Sequence, residues 1–89
     1  MKITVYGTIW CGDCYRTRKY LDKNGIPYEW VNIDHNKDAE AFVIKVNHGN
    51  RSVPTLIFEN GAILVEPTNQ ELAKMLGIGL PGNLSATDQ

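Results

Sequence analysis

Two cysteines three residues apart, placed where a short alternating strand gives way to an amphipathic helix, constrain this chain more than any other feature. Cys11 and Cys14 are its only cysteines and lie in the run Trp10-Cys11-Gly12-Asp13-Cys14. Before them, Ile3 and Val5 fall on one face and Thr4 and Tyr6 on the other, a period-two pattern that predicts a strand over residues 2–6. Gly7 and Thr8 break it. A helix is expected from near Cys11 to Asn24, because Gly25 suits a left-handed cap and Pro27 prevents continuation. Cys14, Thr17 and Leu21 share one helical face. Arg16, Arg18 and Lys19 read as a solvated face, with Arg18 close enough along the helix to bias Cys14 electrostatically.

That placement suits a reactive sulfur. The thiolate is the nucleophile in exchange chemistry, and a helix N-terminus offers unpaired N–H groups and partial positive charge that favour an anion. Cys11 at the exposed tip is the expected nucleophile. Cys14, one turn further on the inward face, is the expected resolving thiol, close enough to expel a group attached to Cys11. Gly12 removes bulk beside the sulfur and lets a substrate backbone approach. Asp13 places a negative charge beside the anion and opposes it. Trp10 is expected to shield the sulfur and shape the substrate face. A zinc site is the competing reading of two cysteines so spaced. The other soft ligands, His35 and His48, do not have the spacing of a Cys₂His₂ finger and read as loop or cap residues, so no metal is expected.

The remaining chain alternates between the two periodicities. Tyr28–Ile33 reads as a second strand. Asn36 can cap a second helix, whose apolar stripe is Ala39, Phe42, Val43 and Val46. Residues 55–58 and 62–65 are short apolar strands. Asn60-Gly61 between them predicts a hairpin with a type I′ turn. Thr68 and Glu71 have capping-box spacing, which predicts a third helix over 69–76 ending at Gly77. The order β-α-β-α-β-β-α is an α/β fold: one four-stranded mixed sheet, its first two strands parallel, flanked by three helices. Residues 1–77 form the expected domain, and 78–89 read as a mobile tail.

Composition closes off several functions. At 89 residues and a net charge of −1, one domain is expected, with no basic excess for nucleic acid and no charge pattern for a membrane surface. No secretory or membrane-spanning run is present in the sequence, so a cytoplasmic location is expected, where paired cysteines are more often catalytic or metal-binding than structural. Arg51-Ser52-Val53-Pro54-Thr55 is the second notable element. A proline opening a strand cannot donate to the ladder and must sit at an edge or a first position.

Trp10-Cys11-Gly12-Asp13-Cys14 after the first strand, with Val53-Pro54-Thr55 before the third, resembles the thioredoxin superfamily, and the short chain is similar to glutaredoxins and to small redoxins that feed ribonucleotide reductase. Ile33-x-His35-Asn36, the 46–55 segment and the Pro67 turn are similar to the mycoredoxin group. The resemblance covers about residues 2–77. It implies the thioredoxin fold, a cis Pro54 beside the active-site sulfur, and a Val53 backbone that pairs with an extended substrate. It also implies contact between a thiol's tail and the matching positions Thr68 and Asn69, where free N–H groups would point outward. The implied activity is thiol–disulfide exchange on disulfide-containing or S-thiolated proteins. The co-substrate is a low-molecular-weight thiol, mycothiol or glutathione, and no cofactor is bound. The alternative is a dithiol donor to ribonucleotide reductase or a peroxiredoxin, recycled by a flavoprotein reductase. A metal or iron–sulfur binding module is the third reading. A monomer is expected. The chain departs from the pattern at Asp13, where the group usually has an aromatic, and at Thr8, where glutathione-using members commonly carry a basic residue. Lacking that base favours a thiol without carboxylates, although Arg51 is available to pair with an acid.

Overall fold

Strand β1 (Ile3–Gly7) buries every second residue, Ile3, Val5 and Gly7, as its alternation requires. Helix α1 (Gly12–Lys23) follows, capped by Cys11, and its inward face is Cys14, Thr17, Tyr20 and Leu21. The computed structural model describes residues 2–78. After α1 come β2 (Glu29–Asn32), a 3-10 turn (Ile33–His35), α2 (Lys37–Val46), β3 (Thr55–Phe58), β4 (Ile63–Val65) and α3 (Asn69–Leu76). The strands form one sheet in the order β2-β1-β3-β4. β1 runs parallel to β2, with Val5 opposite Trp30, and antiparallel to β3, with Val5 opposite Leu56. This is the thioredoxin fold.

The two faces of the sheet carry separate apolar layers. Ile3, Val5, Leu56 and Phe58 meet Tyr20 and Leu21 of α1 and Leu72 and Ala73 of α3. On the other face Ile33, Ala39 and Val43 form a smaller cluster, with Tyr6, Val31 and Val53 against it. Each large aliphatic side chain fully buried in this way contributes about 1.5–3 kcal/mol.

All three helices end in the same manner. Gly25, His48 and Gly77 have φ of 67°, 57° and 71°. The next residue in each case donates its N–H five residues back: Ile26 to Leu21 (2.9 Å), Gly49 to Ile44 (2.8 Å) and Ile78 to Ala73 (3.0 Å). These are Schellman caps. Ile78 also packs against the core, so the packed body extends one residue into the segment read as tail. The rest of that segment, 79–89, lies outside the described residues.

Three local expectations need correction. The second strand is shorter than Tyr28–Ile33, because the Asn32 side chain accepts from the Asp34 N–H (3.0 Å) and turns the chain into the 3-10 element at Ile33. The β3–β4 hairpin has no type I′ turn, since only Gly61, at φ 90°, takes the left-handed region. Gly61 N–H bonds to Phe58 O (2.9 Å) and Phe58 N–H to Ala62 O (2.9 Å), which closes a three-residue loop and starts β4 at Ile63. Gly7 ends β1 instead of breaking it. Among the described residues, no helix is long and apolar enough to cross a membrane.

Candidate active site

Cys11 is the N-cap of α1. Its extended backbone (φ −87°, ψ 118°) turns Sγ back over the first turn, where it accepts the Cys14 N–H at 3.1 Å. The Cys11 thiol also reaches the Val53 carbonyl, 3.8 Å away, which brings the two sequence motifs together. Both cysteines are free thiols. Cys11 is half-buried, whereas Cys14 is 1% exposed. Burial, and then contact with the Cys11 sulfur, push the Cys14 thiol up to about 12. The neighbouring Thr8 backbone opposes that shift without reversing it.

Gly7 makes this packing possible. A Cβ there would stand 2.6 Å from Cys14 Sγ and 2.8 Å from the Trp30 ring. Cys14 Sγ and the Trp30 ring thus both pack close against the Gly7 backbone. Arg18 stacks 4.1 Å over the Trp30 ring. It is a packing cation for Trp30 and does not figure among the groups that perturb Cys14.

Val53-Pro54 is a cis peptide bond, as the resemblance implies. The Pro54 carbonyl accepts the Glu66 N–H (2.8 Å), so that loop is tied to the end of β4. Trp10 stands beside Cys11 with 68% of its surface exposed, and its indole Nε1 donates to Asp34 Oδ2 at 2.8 Å. Arg51 does not face the sulfur with a free charge. Its guanidinium pairs with Asp34 and Glu40, and the bond to Asp34 holds that carboxyl below the usual carboxylate range, helped by Trp10.

An open groove of about 470 Å³ runs from the start of α1 to the start of α3, lined by Asp13, Arg16, Glu66, Thr68 and Asn69. The structure brings Asp13, Thr68 and Asn69 to one groove, and Gly12 lies exposed with open space where a side chain would be. One feature was missed, and one implication of the resemblance needs correction. Arg16, read as a solvated residue, donates to Asn69 Oδ1 (2.7 Å) and Pro67 O (2.8 Å) and clamps the α3 entry against α1. The Thr68 N–H is not free. It donates to Glu71 Oε1 (2.8 Å) while Thr68 Oγ accepts from the Glu71 N–H (3.0 Å), a complete capping box. Arg16 sits three residues after Asp13, but nothing local in the sequence announces partners more than fifty residues away. Among the described residues, no three His, Cys, Asp or Glu side chains are arranged to hold a metal ion.

A family profile described as Glutaredoxin matches residues 3–63. A Mycobacterium tuberculosis protein assigned to the glutaredoxins is 46% identical over 77 residues, spanning 85% of this chain and 92% of that protein. Mycoredoxin 1 of Corynebacterium glutamicum is 36% identical over 70 residues, spanning 79% of this chain and 86% of that one. The crystal structure of a Methanosarcina mazei glutaredoxin superposes with a TM-score of 0.72 at 30% identity, over 86% of this chain and 79% of that one. The chain belongs to the glutaredoxin family and is a thiol–disulfide oxidoreductase, one of the enzymes that exchange low-molecular-weight thiols with thiol-modified proteins.

Proposed function

We propose that Cys11 attacks the mixed disulfide of an S-thiolated protein, taking the small thiol onto its own sulfur and releasing the protein as a thiolate that collects a proton. A second small thiol then attacks the adduct, leaving Cys11 free and carrying the pair away as a disulfide. The observation that carries this reading is the asymmetry of the two sulfurs. Cys11 is accessible and receives a backbone N–H, while Cys14 is buried with its thiol pushed up to about 12, so Cys14 is the partner that keeps its proton.

The groove between α1 and α3 is the proposed seat of the thiol's tail. Asp13 and Glu66 bring negative charge to it, the Arg16 guanidinium is already committed, and the Glu71 carboxylate satisfies the Thr68 N–H. These features support a thiol rich in hydroxyls, such as the sugar–inositol thiol mycothiol, over glutathione with its two carboxylates. Val53 would present its backbone to the polypeptide part of the substrate.

A dithiol route is the second reading, and one observation favours it. The Cys14 thiol touches the Cys11 sulfur, and that neighbour adds to burial, the larger cause, in keeping it protonated. Once Cys11 carries a mixed disulfide, its charge is gone and Cys14 ionises more easily. It can then expel the small thiol and leave a Cys11–Cys14 disulfide for a flavoprotein reductase to reopen. In that mode the chain would serve ribonucleotide reductase or a peroxiredoxin.

Cys11→Ser abolishes turnover of an S-mycothiolated protein in either case. Cys14→Ser retains at least about a tenth of wild-type turnover if the one-cysteine route operates. Complete loss in Cys14→Ser transfers the assignment to the dithiol route. Full activity in Cys11→Ser overturns both.

A further inference from the structure

The two loops that flank Cys11 are tied together by side chains without an assigned role. Asp34 lies in the 3-10 turn after β2, and Arg51 lies in the loop that leads to Pro54. One Asp34 oxygen, Oδ2, accepts the Trp10 indole N–H at 2.8 Å. The other, Oδ1, accepts from the Arg51 guanidinium. Arg51 Nε reaches Glu40 on the first turn of α2. Both oxygens of one carboxylate are thus used, one for each loop.

Both loops so joined adjoin Cys11. Trp10 precedes Cys11 in the chain, and with 68% of its surface in solvent its ring has little packing to fix it. Val53, two residues after Arg51, places its carbonyl 3.8 Å from Cys11 Sγ. We propose that Asp34 and Arg51 are positioning residues that set the spacing between the Trp10 ring and the Val53 backbone before a polypeptide disulfide enters. The proposal rests on Cys11 being the attacking sulfur of the preceding section.

The physical advantage is preorganisation. An extended segment lying against Val53 and under Trp10 must find both in place, and ordering them at the moment of binding would cost affinity. A small disulfide needs neither. The ion pairs themselves are solvent-exposed and add little to folding stability, so their contribution falls on substrate recognition.

The test uses Asp34→Ala and Arg51→Met in the full chain, with two substrates: an S-thiolated protein and the small neutral 2-hydroxyethyl disulfide. Both variants are expected to raise KM for the protein substrate roughly three- to tenfold, the equivalent of one surface charge pair. Its kcat should stay within about twofold. Reaction of Cys11 with the small disulfide should be unchanged. In Asp34→Ala the Trp10 indole N–H resonance is expected to shift and to exchange faster with solvent, while that of Trp30 stays put. Arg51→Lys, which keeps the charge opposite Asp34, should restore most of the affinity. An unchanged KM for the protein, or an equal loss on both substrates, overturns the proposal. Loss of Cys11 reactivity toward the small disulfide in wild-type protein would instead overturn the assignment of the nucleophile.

Discussion

Cys11 and Cys14 share one helix turn yet live in different media. The first is at a helix mouth beside solvent. The second is buried with Gly7 against it, where only a residue without a side chain leaves room for the sulfur. Removing a thiolate from water is costly, and burial is the largest cause of the shift that takes the Cys14 thiol from its ordinary 9.0 to about 12. This has a consequence for stability. In the unfolded chain Cys14 ionises near 9, but in the folded chain it holds its proton to about 12. The folded state therefore gains from protonated Cys14 fully below pH 9, and loses that gain as pH rises from 9 towards 12. Tyr20, also raised by burial, acts in the same direction. Under reducing conditions, urea midpoints of wild type and Cys14→Ser should converge or cross between pH 8 and pH 11, with wild type losing more. Parallel pH profiles of the two proteins would show that Cys14 does not carry this linkage. Sequence pattern made the identity and order of the two sulfurs legible, because helix direction alone says which is at the tip. What it could not show is Gly7 against Cys14 or Arg18 over Trp30, since those contacts join residues that no local period relates.

Elements were legible where the chemistry is local and dim where it depends on the count of residues between partners. The helix ends illustrate the first case. Thr68 with Glu71 gives α3 its start, and Gly77 gives its end, both from residues adjacent in the chain. The hairpin illustrates the second. Asn60-Gly61 announces a reversal, but whether the loop holds two residues or three depends on which strand positions pair, and Ile57 opposite Ile63 makes it three. Loops between distant elements were opaque in the same way: Arg16 and Asp34 look like ordinary surface charge, and Arg51 like a free cation, until the fold supplies their partners. The end of α2 carries a prediction of its own. His48 occupies the left-handed position of the cap at φ 57°, where α1 and α3 have glycine. An L-residue with a Cβ pays about 1 kcal/mol or more for that conformation, and glycine does not. Gly49, next to it, already has φ 103° and open space around its Cα. His48→Gly should therefore stabilise the protein by roughly 0.5–1 kcal/mol, read as a higher urea midpoint with an unchanged slope. A lower midpoint would mean that the imidazole makes a contact worth more than the backbone strain.

At the scale of the molecule, the sheet divides the protein into unequal halves, and the candidate active site draws on both. Among the described residues, the apolar cluster on the α1–α3 side holds eight buried residues beside the thiol pair, and Arg16 bridges its two helices. The α2 side holds three, Ile33, Ala39 and Val43, with Tyr6, Val31 and Val53 packed over them. Local opening follows apolar contact, so the thinner layer is the first to come away from the sheet. That layer also supports the Val53 backbone and, through Ile33 and the residues after it, the Asp34 anchor of Trp10. An opening there would leave the helix mouth and Cys11 intact while dissolving the cleft in front of them. Native-state hydrogen exchange should accordingly show the α2 amides less protected than those of β1, β3 and the middle of α1. Val43→Ala removes two methyl groups from the smaller cluster and should cost about 1–3 kcal/mol, concentrated in faster α2 exchange. The same variant is expected to lose turnover on a protein disulfide while its Cys11 is alkylated by iodoacetamide at the wild-type rate. Leu21→Ala, in the thicker layer, should instead accelerate exchange throughout the chain, because its side chain lies in the cluster that joins α1 to the sheet. If the two substitutions raised exchange in the same pattern, the layers would be a single cooperative unit and the cleft could not open separately from the thiol pair.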